Sequence, residues 1–192
     1  KQGRTDYADK IGQLVSAAKQ RGIVQHIILL SSTAIYNGLS GVVDEESLLS
    51  LSSEKVDTLD KAEQCVLAFN RQANVVRLAG LVGPNRHPGK FLLAKKVLKN
   101  AHGKINLIHQ QDALGIILSL LTKQSPQGIF NGVSDNHASK KSYYQQAAKS
   151  LSLPVPVFSE HEAVDASRIV SGEKAKQCLN HSFIYPDLLA WL

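Results

Sequence analysis

Helix-patterned segments alternate with short apolar runs along most of this chain, and that alternation narrows the fold sharply. Tyr7, Ile11, Leu14, Val15 and Ala18 recur at helical spacing, with Asp6, Asp9, Lys10, Gln13 and Lys19 between them. Gly22 then ends the pattern as a C-terminal glycine does. His26-Ile27-Ile28-Leu29-Leu30 follows as a continuous apolar run, the form taken by a strand buried on both faces of a parallel sheet. A second helix is predicted over 58–70, with Thr58 as its cap and Leu59, Ala62, Val66 and Phe69 on one face. Strand 75–78 comes next, then a Gly- and Pro-punctuated loop over 83–89 and a helix over 91–99. Strand 105–108 precedes a helix that Asp112 can cap, strand 129–131 precedes one that Ser139 can cap, and a short helix is expected over 171–178. The pattern implies an α/β fold, a Rossmann-like parallel sheet with helices on both faces. The cleaner alternation runs over 1–135, and 136–192 reads as a small C-terminal lobe packed over the sheet.

Composition excludes several classes. The 192 residues hold no run of about 18 or more apolar residues, so no membrane span is expected. The formal charge of +6 raises the question of nucleic acid. The basic residues are scattered, however, with doublets only at Lys95-Lys96 and Lys140-Lys141, and aromatics make up 6% without interleaving. No nucleic-acid partner is therefore expected; the charge suits a small anionic molecule instead. Cys65 and Cys178 have no companion at metal-ligand spacing and lie in apolar-patterned helices, so they read as buried, reduced thiols of a cytoplasmic protein. The seven histidines show no paired spacing, and no metal is expected. The chain has no Met and opens within a helix-like pattern, which suggests that a segment precedes Lys1.

In open parallel sheets, ligands bind outside the carboxyl ends of the strands. Two segments leave strands there with unusual residues. Ser31-Ser32-Thr33 places three hydroxyls directly after an apolar strand. Such a hydroxyl can polarise a substrate carbonyl or alcohol, though the same residues also close strands and cap turns. Ala79-Gly80-Leu81-Val82-Gly83-Pro84 follows the next strand, and its small residues let a flat ring approach the backbone, as an ordinary turn also would. Arg86 and His87 sit in the loop beyond and could grip a phosphate or carboxylate. His109 ends a strand beside that region, and Arg168 on the tail could reach an anion or simply lie on the surface.

Taken in order, these segments resemble the extended short-chain dehydrogenase/reductases, the NAD-dependent epimerase/dehydratase family. Ser31 to Tyr36 followed by Asp44-Glu45-Glu46 is similar to the family's active-site Ser/Thr stretch. Arg77 to Pro84 resembles its Arg-x-x-x-x-x-Gly-Pro segment, Ile105 to Asp112 its Ile-His-x-x-Asp segment, and Ile129-Phe130-Asn131 its Tyr-Asn-Val-Gly strand. The resemblance implies NAD or NADP as cofactor, Ser32 as the substrate-polarising hydroxyl with Ser31 and Thr33 as alternatives, and a small-molecule substrate, with sugar nucleotides among the candidates. Leu30, Ser31 and Ala79 to Gly83 would then line the nicotinamide end, Asp112 would be structural, and a homodimer is compatible with the family.

Two departures stand out. The family's G-x-x-G-x-x-G phosphate loop is not in this sequence. Its Tyr-x-x-x-Lys pair is missing too: counting back from Glu63 puts Leu59 at the Lys position and Lys55 at the Tyr position. The chain therefore reads either as an atypical enzyme or as a non-catalytic NAD(P)-binding sensor or scaffold.

Overall fold

A computed structural model describes residues 6–91, 97–122, 125–159 and 167–192. In chain order the elements are α1 (Tyr7–Arg21), β1 (His26–Ser32), β2 (Gly41–Val43), α2 (Glu54–Leu67), β3 (Gln72–Leu78), β4 (Gly80–Val82), β5 (Val97–Leu98), β6 (Leu107–His109), α3 (Gln110–Leu120), β7 (Gly128–Gly132), α4 (Lys140–Ser150), β8 (Val157–Phe158), β9 (Arg168–Val170), α5 (Glu173–Leu179) and α6 (Leu188–Trp191). Short 3₁₀ turns follow β1 at Thr33–Tyr36 and follow β4 at Pro88–Lys90.

The central sheet is parallel, in the order β1-β3-β7, with Ser32 level with Leu78 and Leu78 level with Gly132. Strand alternation then decides which helix meets which residue. Leu29, Ala73 and Val75 point to one face, where Val15 of α1 and Ala62 and Val66 of α2 cover them. Val76 and Phe130 belong to the opposite cluster, which α3 covers with Ile116 and Leu120 and α5 with Ala175. Helices thus lie on both faces, as the alternation predicts. Three further parallel pairs, β2–β9, β4–β6 and β5–β8, tie the loops and the C-terminal segment onto this core.

Several local expectations are corrected. Helix α2 begins at Glu54 with Ser53 as its N-cap, so Thr58 lies inside it; Glu54 and Asp57 favour the first turn, and burial of Val56 rewards the extra length. The helix expected over 91–99 gives way to strand β5 at its end, while residues 92–96, Lys95 and Lys96 included, lie outside the described residues. Helix α3 is capped by His109, whose side chain accepts from the Gln111 amide, so Asp112 is left for another task. Cys178 is exposed and Cys65 half-buried, and both thiols are free. The early helix and its glycine stop hold as read, with Gly22 at φ +69°. Among the described residues no helix is long and apolar enough to cross a membrane.

Candidate functional site

The two segments singled out in the sequence leave neighbouring strands at the same edge. β1 and β3 are hydrogen-bonded parallel partners, so Ser32 and Leu78 start their turns about 4.8 Å apart. The Ser31–Thr33 hydroxyls and the Ala79–Gly83 turn therefore flank one strip at the carboxyl ends of the sheet.

The three hydroxyls differ in what remains free. Ser31 is buried, and its Oγ donates to Glu63 Oε1 at 2.5 Å. Thr33 is buried as well. Ser32 is half-buried and its Oγ accepts from the Ala34 amide at 3.2 Å, opening the 3₁₀ turn. No acceptor takes the Ser32 proton among the described residues, which leaves that hydroxyl able to donate.

Behind the turn lies a buried polar network that spacing alone does not show. Glu63 is 0% exposed and Arg77 3%, and the guanidinium donates to the carboxylate through Nε at 3.0 Å and Nη2 at 2.8 Å. Arg77 Nη1 also donates to the Tyr36 phenol at 2.8 Å, and its guanidinium stacks 5.0 Å from that ring. The phenol in turn donates to Asn131 Oδ1 at 2.9 Å, and the Asn131 amide donates to Glu45 at 2.6 Å. Burial opposes the Arg77 charge, but hydrogen bonds and attraction from Glu63 outweigh it and hold the guanidinium above its ordinary pKa. Burial raises Tyr36 despite Arg77, and burial raises Glu45 despite its backbone hydrogen bonds. Tyr36 is therefore a neutral, fully engaged phenol and no free acid.

The second segment, expected as a turn, holds strand β4 at Gly80–Val82, paired in parallel with β6, and is shaped by that packing. A Cβ on Gly80 would stand 2.6 Å from the Leu107 side chain, and one on Gly83 would stand 2.7 Å from Gln110. Ala79 and Val82 are buried, Leu81 half-buried and Gly80 exposed. On β1, which has one strand neighbour among the described residues, Leu30 is 50% exposed. Half-exposed Leu30 and the donor hydroxyl of Ser32, two residues apart on one face of β1, offer an apolar contact and a hydrogen-bond donor to a flat ring with a carboxamide. The residues present thus fit the nicotinamide end of NAD or NADP.

Arg86 is exposed; its Nε donates to the Leu81 carbonyl at 3.2 Å and its guanidinium lies 5.8 Å from the Phe91 ring. His87 accepts from the Gly89 amide at 3.2 Å, which fixes the 3₁₀ turn, and packs 5.5 Å from Trp191. Neither is brought against Ser32 by any hydrogen bond. His109 is buried between Tyr185 and Trp191, with ring centroids 3.9 and 5.1 Å away, and its Nε2 has no partner among the described residues. Burial holds both imidazoles below the usual histidine range, and for His87 the nearby Lys90 charge adds to it. Asp112 accepts from the Ile184 and Tyr185 amides at 2.6 and 3.0 Å, so it clasps the C-terminal segment. Arg168 is half-buried and tethered: its Nη1 donates to the Tyr36 carbonyl at 2.5 Å and to Asn37 Oδ1 at 3.3 Å. On α2, Lys55 is exposed, and Leu59 packs against the core cluster. No metal-ligand cluster of three side chains is found among the described residues.

No protein-family profile matches the sequence. The YeeZ protein of Escherichia coli strain K12 is 32% identical over 186 residues, which is 95% of this chain and 66% of YeeZ, and YeeZ of strain O157:H7 matches equally. The chain therefore spans just under two thirds of the length of these curated relatives. Among solved structures, a functionally unknown conserved protein from Silicibacter pomeroyi superposes with a TM-score of 0.76 at 23% identity, over 96% of this chain and 70% of that one. The UDP-glucuronic acid 4-epimerase of Bacillus cereus, solved in complex with NAD, gives 0.74 at 18% identity, over 91% and 61%. The chain is thus a relative of YeeZ that carries the Rossmann-like fold of the NAD-dependent epimerases and dehydratases.

Proposed function

We propose that the protein binds NAD or NADP at the carboxyl ends of β1 and β3 and acts as an oxidoreductase of the epimerase/dehydratase type on a carbonyl or alcohol of a small substrate. The observation that carries this reading is the free donor of Ser32, set beside the Ala79–Gly83 turn on the adjacent parallel strand. When bound, the cofactor would supply or accept the hydride. Ser32 Oγ, its lone pair already on the Ala34 amide, donates its proton to the substrate oxygen and polarises the C–O bond. Leu30, half exposed on the same face of β1, gives the ring an apolar wall. The structural neighbours support the assignment, since the Bacillus cereus enzyme was solved with NAD.

The test is titration of the protein with NADH and NADPH, followed by nicotinamide fluorescence, for the native chain and for Ser32→Ala. Sugar nucleotides and ketones are then offered, and the nicotinamide absorbance band is followed. The expectation is saturable binding in both proteins, with turnover lost in Ser32→Ala. An absence of binding to both cofactors overturns the proposal.

A second reading is a non-catalytic NAD(P)-binding sensor or scaffold. The observation favouring it is that Lys55 and Leu59 occupy the places of the family's Tyr and Lys, while Tyr36 and Tyr143 are fully buried. Cofactor binding without turnover of any compound in the same panel selects this alternative.

A further inference from the structure

Two histidines from separate loops meet one side chain. His87 opens the Pro88–Lys90 turn and His109 opens α3, and their rings lie 5.5 and 5.1 Å from that of Trp191. Each makes the same kind of hydrogen bond: His87 Nδ1 accepts from the Gly89 amide at 3.2 Å, and His109 Nδ1 from the Gln111 amide at 3.3 Å. A neutral imidazole that accepts at Nδ1 carries its proton on Nε2, so a second proton enters at Nδ1. There it faces an N–H, and the cap is lost. At α3 the new charge also meets the positive end of the helix dipole. Proton uptake and capping thus exclude each other at both rings.

Those rings hold down segment 184–191. Asp112 accepts from its Ile184 and Tyr185 amides, the Tyr185 ring stacks 3.9 Å from His109, and Leu188 is buried with Val82, Ile105 and Tyr143. We propose that this segment is an acid-released latch: a proton on Nδ1 of His87 and of His109 frees Trp191 and lifts the segment from the face of Val82, Ile105 and Tyr143. Burial holds both imidazoles below the usual histidine range; Lys90 adds to it at His87, and Asp112 opposes it at His109. The latched state therefore refuses protons that the released state takes. Latching is complete above about pH 6.5 and weakens as the pH falls from there. Of the other groups facing the latch among the described residues, Arg86 is turned to the Leu81 carbonyl and Asp187 accepts from the Leu189 and Ala190 amides. The Tyr143 and Tyr144 phenols, raised by burial, stay neutral. His181, packed beside Phe183 and against Gly115 of α3, is lowered by burial, with Asp112 opposing. Val82 lies in the segment proposed above for the nicotinamide end, but the latch does not rest on that reading.

Hydrogen exchange of the native chain, read by NMR at pH 7.5 and 5.5 without cofactor, tests the latch, with each rate divided by the intrinsic rate at that pH. A released imidazole of ordinary pKa favours opening about tenfold more at the lower value, so two of them raise it by up to roughly a hundredfold. Expected is a fall in protection of at least about tenfold at the Leu189 and Trp191 amides, with the Gly89 amide following, and all three less protected than β3 at both pH values. The double variant His87→Asn/His109→Asn keeps a capping oxygen at both turns and has nothing there to titrate, so its Trp191 protection should change by less than about threefold. Trp191 protection that does not fall, or that equals that of β3 and so reports global unfolding alone, overturns the latch; the native chain decides this even where the variant does not fold. A fall in the double variant as large as the native one moves the trigger to His181 and overturns the assignment to His87 and His109.

Discussion

Replacing Glu63 by leucine should unfold the protein far more readily than any surface change. Glu63 is fully buried, and it is the counter-charge of Arg77 and the acceptor for Ser31. With Glu63→Leu, a guanidinium of 3% exposure keeps its charge and one phenol partner, Tyr36. Breaking a buried pair from one side costs about 3–5 kcal/mol, the greater part being the stranded charge. For a chain of this size each kcal/mol moves Tm by about 2–4 °C, so a fall of roughly 6–20 °C is expected. The informative comparison is the double variant Glu63→Leu/Arg77→Leu, which removes both charges and leaves only lost hydrogen bonds at Ser31 and Tyr36. It should lie about 1–3 kcal/mol below the native protein, well short of the sum of the single changes. Urea denaturation of the four proteins, with slopes compared to verify a common unfolding reaction, gives the cycle. A Glu63→Leu protein within about 1 kcal/mol of native, or strict additivity in the double variant, refutes the reasoning.

Other consequences follow from the same contacts. His87, His109 and His181 all have pKa values held below the ordinary value, chiefly by burial, so the unfolded chain binds protons that the folded one refuses. Their contribution to stability is complete above the unfolded value of about 6.5 and is lost as pH falls from there through the lowered folded values. Glu45, held above its ordinary value by burial, acts in the opposite sense in a more acidic range, so the slope is cleanest between pH 7.5 and 5.5. A urea midpoint that does not fall over that interval contradicts this. Asp112→Ala strands the Ile184 and Tyr185 amides and should cost about 2–4 kcal/mol, with faster hydrogen exchange at those two positions than at the α3 core. Gly89→Ala would drive a Cβ into the backbone carbonyl of Ala147, which cannot swing aside; a loss of about 1–3 kcal/mol in thermal or urea unfolding is expected, and a neutral outcome would show that the Pro88–Lys90 turn is free to move.

What could be read from the sequence was local, and what could not was long-range. The apolar run His26–Leu30 announces a doubly covered strand because both faces need apolar cover, and β1 lies between helices on one side and the Ile116 cluster on the other. Gly22 announces a helix stop because few other residues take a positive φ cheaply. Periodicity cannot tell which polar residues end up face to face. Ser31, Glu63 and Arg77 are 32 and 14 positions apart, and Arg168 is 132 positions from the carbonyl it grips, so no spacing rule joins them. One signal was nevertheless present: Glu63 stands between Ala62 and Val66 on the face of α2 that must be buried, and a carboxylate there needs a cation. Arg77, alone in an apolar strand, needs an anion for the same reason.

That pairing changes how the hydroxyl stretch is to be understood. Three consecutive hydroxyls look interchangeable in one dimension, but strand alternation sends Ser31 toward α2 and Ser32 away from it. Ser31 is thereby spent on the buried carboxylate, and Tyr36 at the far end of the turn is held by the guanidinium of the same pair. Ser32 sits between two anchored ends with its proton unclaimed. Ser32 thus caps the turn through its oxygen while its proton stays available, and a turn fastened at both sides holds that donor in one direction, the arrangement the proposed polarisation of a substrate oxygen would use.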